Sequence, residues 1–196
     1  MVASDAGPDH DSEVVTEVSV PPIPTSRFEL VPMSPAFMRL LLARDLAGAA
    51  AEIGAIVPLE LAGDLDDYLQ DLIAHPPIDP DAWPWLGRAT VLTESDGTRR
   101  VIGSGGFHDR PGPDGRVEVG CTVVSSYRRQ GVGSEILRGL LDWASARGVD
   151  RFRASIVPDN VASVGMVERL GFRQVRVEMD EVDGAVIVFE LDGWPR

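Results

Sequence analysis

SSYRRQGVGSEIL, residues 125–137, is the stretch on which the reading of this chain turns. It follows RVEVGCTVV (116–124), an apolar run that predicts a strand, and it opens a helix. From Gly131 to Arg147 the residues Val132, Ile136, Leu137, Leu140, Leu141 and Ala144 fall on one stripe, and Gly148 supplies the stop. A glycine-rich turn between strand and helix leaves the first helical N–H groups free. The positive end of the helix dipole adds to them, so the place favours a phosphate. Alone, a GxG at a helix start is equally an ordinary strand-to-helix turn. Two other phosphate loops are excluded by the letters. A dinucleotide fingerprint would put glycine where Ile136 stands, and a Walker loop needs Gly-Lys followed by Ser or Thr.

Outward from the turn, strands and helices alternate without a strict βαβ period. Upstream, RFELV (27–31) predicts a strand, and SPAFMRLLLARDLAGAAAEIG (34–54) one helix started by Ser34 and Pro35. DLDDYLQDLIAH (64–75) predicts a second helix, and the Pro-rich HPPIDPDAWPW breaks the chain. Strands at about 89–94 and 99–107 flank the turn SDGT, and PGPDG (111–115) turns the chain into 116–124. Downstream come a strand (152–157), a helix (160–170) and a hairpin, RQVRVEM and AVIVFEL, around Asp183-Gly184. This pattern predicts a mixed α/β sheet with helices on both faces.

The 196 residues are enough for one domain, 25–196, with its own core. Residues 1–24 carry five acids and no Lys or Arg, a composition expected to remain a disordered arm. The formal charge of −13 disfavours a nucleic-acid partner and suits a cationic or amine ligand. No apolar run is long enough for a membrane helix, and the N-terminus lacks the pattern of an export signal. A cytoplasmic location, with no membrane partner, is the expectation. Cys121 is the only cysteine, so an intramolecular disulfide and a Cys-rich zinc site are excluded and a buried, inert thiol is expected.

The turn RRQGVG resembles the signature of the GNAT acetyltransferase superfamily: Arg or Gln, two residues, Gly, one residue, Gly or Ala. Downstream, DNVASVGMVERLGF (159–172) is similar to that superfamily's second motif, an Asn, then a Ser three residues on, opening a helix that ends in Leu-Gly-Phe. The resemblance is strong over about 100–190 and diffuse over 27–99, where it is closest to bacterial ribosomal-protein N-terminal-alanine acetyltransferases. It implies about seven mostly antiparallel strands with a splayed parallel pair in the centre. It also implies acetyl-CoA as co-substrate, no metal, and a primary amine as acceptor, either a small molecule or a protein N-terminus. A homodimer is left open.

Carried over by position, the resemblance implies that the stretch from Arg128, through the N–H groups of Arg129, Gln130, Gly131, Val132, Gly133 and Ser134, holds the cofactor's pyrophosphate. Cys121, Thr122 and Val123 would lend main-chain groups to the pantetheine arm. Asn160 would bond the cofactor near the thioester, although Asn is equally favoured as a plain helix cap. Glu118 would receive the amine proton through water, its other reading being an exposed strand acid. The usual tyrosine that protonates the leaving thiolate would stand at Val167, so the resemblance breaks there and Ser163 is the next candidate. His108 ends a strand near this region and is read as structural. A non-catalytic CoA sensor and a pure interaction scaffold are the competing classes.

Overall fold

The computed structural model of the protein describes residues 20–180 and 184–195. It begins with a two-residue strand, β1 (Ile23–Pro24), and β2 (Phe28–Pro32). Four short helices follow: α1 (Pro35–Leu42), α2 (Leu46–Ile53), α3 (Leu59–Asp64) and α4 (Asp66–Ala74). A 3-10 turn, Pro80–Trp85, leads to β3 (Arg88–Thr93), β4 (Arg99–Phe107) and β5 (Arg116–Val123). The chain then forms α5 (Val132–Ser145), β6 (Arg151–Ile156), α6 (Val161–Arg169), β7 (Arg173–Asp180) and β8 (Gly184–Asp192).

One eight-stranded sheet runs in the order β1-β2-β3-β4-β5-β6-β8-β7, antiparallel at every junction but β5–β6. The parallel pair holds for only three rungs, Arg116↔Arg151, Val117↔Phe152 and Glu118↔Arg153. Beyond them β5 follows β4 and β6 follows β8, so a gap opens in the middle of the sheet. That gap is the splayed pair that the family resemblance implies.

Helices cover both faces. Val101 belongs to the core under α1–α4 and its neighbour Ile102 to the core under α5 and α6; successive strand residues point to opposite faces, so the two cores lie on opposite sides of the sheet. The predicted stripe of α5 is buried, and Ile136, Leu140 and Leu141, with no exposed surface, contribute about 1.5–3 kcal/mol each.

Several expectations are corrected. The helix read over 34–54 is two, because Arg44 takes a left-handed φ of 59° and Asp45 caps α2 by accepting the Gly48 N–H at 2.9 Å. Arg44 is held in that conformation by Ala62 O (2.8 Å) and by Asp66, contacts far outside any local pattern. The helix read over 64–75 divides likewise into the end of α3 and α4. The eighth strand, β1, lies within the segment read as an arm: Ile23 pairs with Leu30 and is 5% exposed, since apolar burial ties residues 23–24 to the sheet edge. Residues 1–19 and Asp183 of the hairpin turn lie outside the described residues.

Candidate functional site

The signature turn leaves β5 through a 3-10 turn, Ser125–Tyr127, and enters α5 through two left-handed residues, Arg129 (φ 60°) and Gly131 (φ 78°). Tyr127 and Arg128 donate their N–H groups back to Val124 O and Ser125 O, and Glu135 donates to Gly131 O. Between them, the N–H groups from Arg129 to Ser134 have no acceptor among the described residues, and no side chain caps α5. Six adjacent donors at the positive end of a 14-residue helix are a ready anion site. A cleft of about 570 Å³ opens beside it, lined by Thr25, Arg27, Ser134, Arg138 and Arg169 among others.

The turn is braced from a distance. Glu135, in the first turn of α5, accepts from the Arg27 N–H (2.8 Å), Thr25 Oγ1 (2.9 Å) and Ser26 Oγ (3.1 Å), and pairs with Arg27 Nε at 2.6 Å. Arg27 also reaches Gln130 O at 3.1 Å. Burial by itself raises the Glu135 pKa, but these hydrogen bonds, led by Arg27, outweigh it and lower the pKa. The carboxylate therefore adds stability that is fully present above the ordinary glutamate range and is lost as pH falls through its lowered folded-state value. Glu135→Gln is expected to remove that acid-side dependence and to cost about 1 kcal/mol at neutral pH, the pair being partly exposed. Urea melts at pH 3 to 7 check this; parallel curves for the two proteins would refute it.

On the other side, α3 is latched to the same turn. Glu60 accepts the Ser125 N–H and hydroxyl, both at 2.8 Å, and Arg128 approaches Glu60 (3.4 Å) and Asp64 (3.7 Å). Arg128 Nε donates to Val123 O at 2.7 Å. The Arg128 side chain thus anchors the turn and leaves the anion site to the main chain.

Along the gap, Val124 N–H donating to Ile102 O fixes Ser104↔Thr122 as a hydrogen-bonded pair of the β4–β5 ladder. The main-chain groups of Thr122 therefore face β4, whereas those of Cys121 and Val123 face the gap. This departs from the expectation that all three line the pantetheine path: Thr122 presents only its hydroxyl, which donates to Asp64 at 3.2 Å, and Val123 O is already engaged by Arg128. The Cys121 thiol lies 4.0 Å from Gly133 O, and burial pushes its pKa up to about 12.

Across the gap, Asn160 caps α6 by accepting the Ser163 N–H at 3.1 Å. Ser163 is half-buried, and its hydroxyl has no partner among the described residues. Val167 is 2% exposed and belongs to the core, so the place of the usual tyrosine faces inward.

Glu118 stands on the last paired rung, where the gap begins. It lines a second cleft, of about 320 Å³, with His108, Asp109, Arg110, Asp114, Arg116 and Arg153. The structure adds His108 to the sequence-derived set: its N–H donates to Glu118 O at 3.0 Å, and a methyl group built on Gly120 would meet its Nε2 at 3.6 Å. Its ring therefore lies beside Glu118 on the same face. Counting residues back from the PGPDG turn would have paired positions 108 and 118 in the sequence.

The chain matches the Acetyltransferase (GNAT) domain over residues 55–173. It belongs to the GNAT acetyltransferase family. An L-methionine sulfoximine/L-methionine sulfone acetyltransferase of Pseudomonas paraeruginosa is 35% identical over 95 residues, 47% of this chain and 55% of that protein. The chain thus spans about half the length of the curated relatives it matches. Among solved structures, a GNAT-family acetyltransferase from Bacillus anthracis superposes with a TM-score of 0.56 at 13% identity, covering 87% of this chain and 98% of that one. A ribosomal L7/L12 alpha-N-protein acetyltransferase in complex with coenzyme A gives 0.58 at 15% identity, with 88% and 98% covered. These two likenesses speak for the GNAT fold. No helix among the described residues is long and apolar enough to cross a membrane, and among those residues no group of three or more His, Cys, Asp or Glu is arranged to hold a metal.

Proposed function

We propose that this GNAT chain is an acetyl-CoA-dependent N-acetyltransferase that acts on a primary amine by direct attack in a ternary complex. The observation that carries the reading is the uncapped start of α5, six unpaired N–H groups beside a gap between two parallel strands. The N–H groups of Arg129 to Ser134 hold the pyrophosphate, with Arg138 and Arg169, both without an ion pair among the described residues, flanking the neighbouring cleft. Cys121 and Val123 present their gap-facing main-chain groups to the pantetheine arm, and Asn160 closes the far side. From the start of α5 to Glu118 the gap follows β5 for about 20 Å, at about 3.3 Å per residue. The reacting end of the cofactor, laid in that gap, comes to rest at the Glu118 rung.

The co-substrate supplies a thioester carbonyl. A neutral amine nitrogen forms the new bond to that carbon, the carbon–sulfur bond breaks, and the sulfur leaves as a thiolate. Glu118, with His108 beside it, takes the proton from the nitrogen directly or through one water. The Ser163 hydroxyl hydrogen-bonds the departing sulfur and relays to it a proton taken from water, and because a thiolate is a good leaving group near neutral pH the bond breaks without waiting for that proton. Calorimetry with coenzyme A, followed by thiol release from acetyl-CoA with a panel of amines, tests the whole reading. Absence of any heat of binding would defeat it, and binding without release from any acceptor would make the chain a sensor.

A further inference from the structure

The cleft beside Glu118 holds three guanidinium groups and three carboxylates, but most already have partners. Arg110 pairs with Asp79. Arg116, whose side chain is 10% exposed, donates to Phe152 O and to Asp192, both at 3.0 Å, and stands 3.3 Å from Glu190. Asp109 accepts the Arg110 N–H and Asp114 the Arg116 N–H. Two groups of opposite charge keep unused hydrogen-bonding capacity. The Glu118 carboxylate has no hydrogen bond or ion pair among the described residues. Arg153 has one ion pair, to Glu190 at 3.4 Å, and its Nε, shut off from solvent, has no acceptor among the described residues.

An N–H removed from water without a partner is destabilising, and among the described residues nothing relieves this one. Glu118 and Arg153 are register partners across the last rung of β5 and β6, so their side chains leave the sheet on one face. Their backbones are about 5 Å apart at ordinary strand spacing, yet no ion pair joins them. A carboxylate without a partner beside a guanidinium that shares its one carboxylate, Glu190, with Arg116 and Arg176 and has Nε unused complements a ligand whose two opposite charges flank a single carbon.

We infer that the acceptor is a zwitterion of the free α-amino acid class, its amine at Glu118 and its carboxylate on Arg153. The inference rests on the acetyltransferase reading and deepens it by naming the acceptor. A peptide N-terminus has no carboxylate next to its amine, and a polyamine would set a second cation against Arg153. The chain's −13 charge attracts cations at long range, so discrimination in favour of a zwitterion has to come from this local pair. In the transfer the α-ammonium first gives one proton to Glu118, the neutral nitrogen then bonds to the acetyl carbon as the carbon–sulfur bond breaks, and its second proton passes through water to the departing sulfur, so that the coenzyme thiol is the other product. Arg153 binds throughout and takes no part in bond making.

The test measures thiol release from acetyl-CoA with the standard α-amino acids, their α-carboxamides, the decarboxylated amines and dipeptides. At least one amino acid should show a kcat/KM about 10- to 100-fold above its own amide and amine, the effect of one charged hydrogen-bonded contact. Arg153→Gln should bring that ratio close to one, and Arg153→Lys should keep part of it, because charge remains but the two-pronged geometry does not. Amides, amines or dipeptides used as well as amino acids by the unaltered protein would overturn the inference while leaving the acetyltransferase reading intact. So would a ratio that survives Arg153→Gln in protein with a normal melting transition. Coenzyme A binding without thiol release from any acceptor would overturn both.

Discussion

Glu118→Gln is expected to slow acetyl transfer by about 10²- to 10⁴-fold while leaving coenzyme A affinity unchanged, because it removes a proton acceptor without removing bulk. Glu118 sits at the rung where β5 and β6 part, its carboxylate without a partner among the described residues, and the turn of unpaired N–H groups from Arg129 to Ser134 lies at the opposite end of the gap. A change there reaches the reacting nitrogen and not the cofactor's anchor. The loss belongs in kcat, read by thiol release under saturating acetyl-CoA, with calorimetry on the same variant as the control. Turnover within about threefold of the parent would assign the proton to another group, with His108 first in line. A parallel collapse of coenzyme A affinity would mean that Glu118 supports the fold of the gap instead.

Gly131→Val acts at the other end. The φ of 78° at this position is closed to a β-branched residue, whereas space is not the obstacle: the nearest heavy atom to an added Cβ is Arg27 Nη2, at 3.7 Å. The free variant relaxes to a negative φ and turns its neighbouring N–H groups away, and binding then has to restore the strained form. At about 1–3 kcal/mol for such a residue, coenzyme A should bind roughly 5- to 150-fold more weakly. Calorimetry measures it, and an unchanged Kd would show that these amides are not what holds the ligand. The melting temperature should fall far less than for a core substitution, since Gly131 is exposed.

What the sequence disclosed of this site follows from the range of the forces involved. The turn from Val124 to Ser134, the stripe of α5 and the hairpin of β7 and β8 depend on neighbouring residues, and local chemistry announces them. The break at Arg44 was hidden because its cause, Ala62 O and Asp66, lies a helix away. β1 was hidden because two residues carry no period and Ile23 is ordered only by the core it enters. The same limit separates Glu118, legible from its place before Cys121, from the grip of Arg27 on Glu135 and of Glu60 on Ser125, which no spacing rule encodes. Asn160 shows the converse: its capping bond is plain in both sequence and structure, and a cap and a ligand contact ask for the same side chain in the same place.

The half-buried sulfur of Cys121, packed against the core under α5, has a practical corollary at the bench. Burial raises its pKa well above the usual thiol range, so little of the reactive anion forms at pH 8, and no other cysteine exists in the sequence to contribute. Disulfide reagents that colour on meeting free sulfhydryl should therefore find native protein silent, so every increment of signal reports product. Rapid labelling before denaturant is added would show the strand beside α5 to be open.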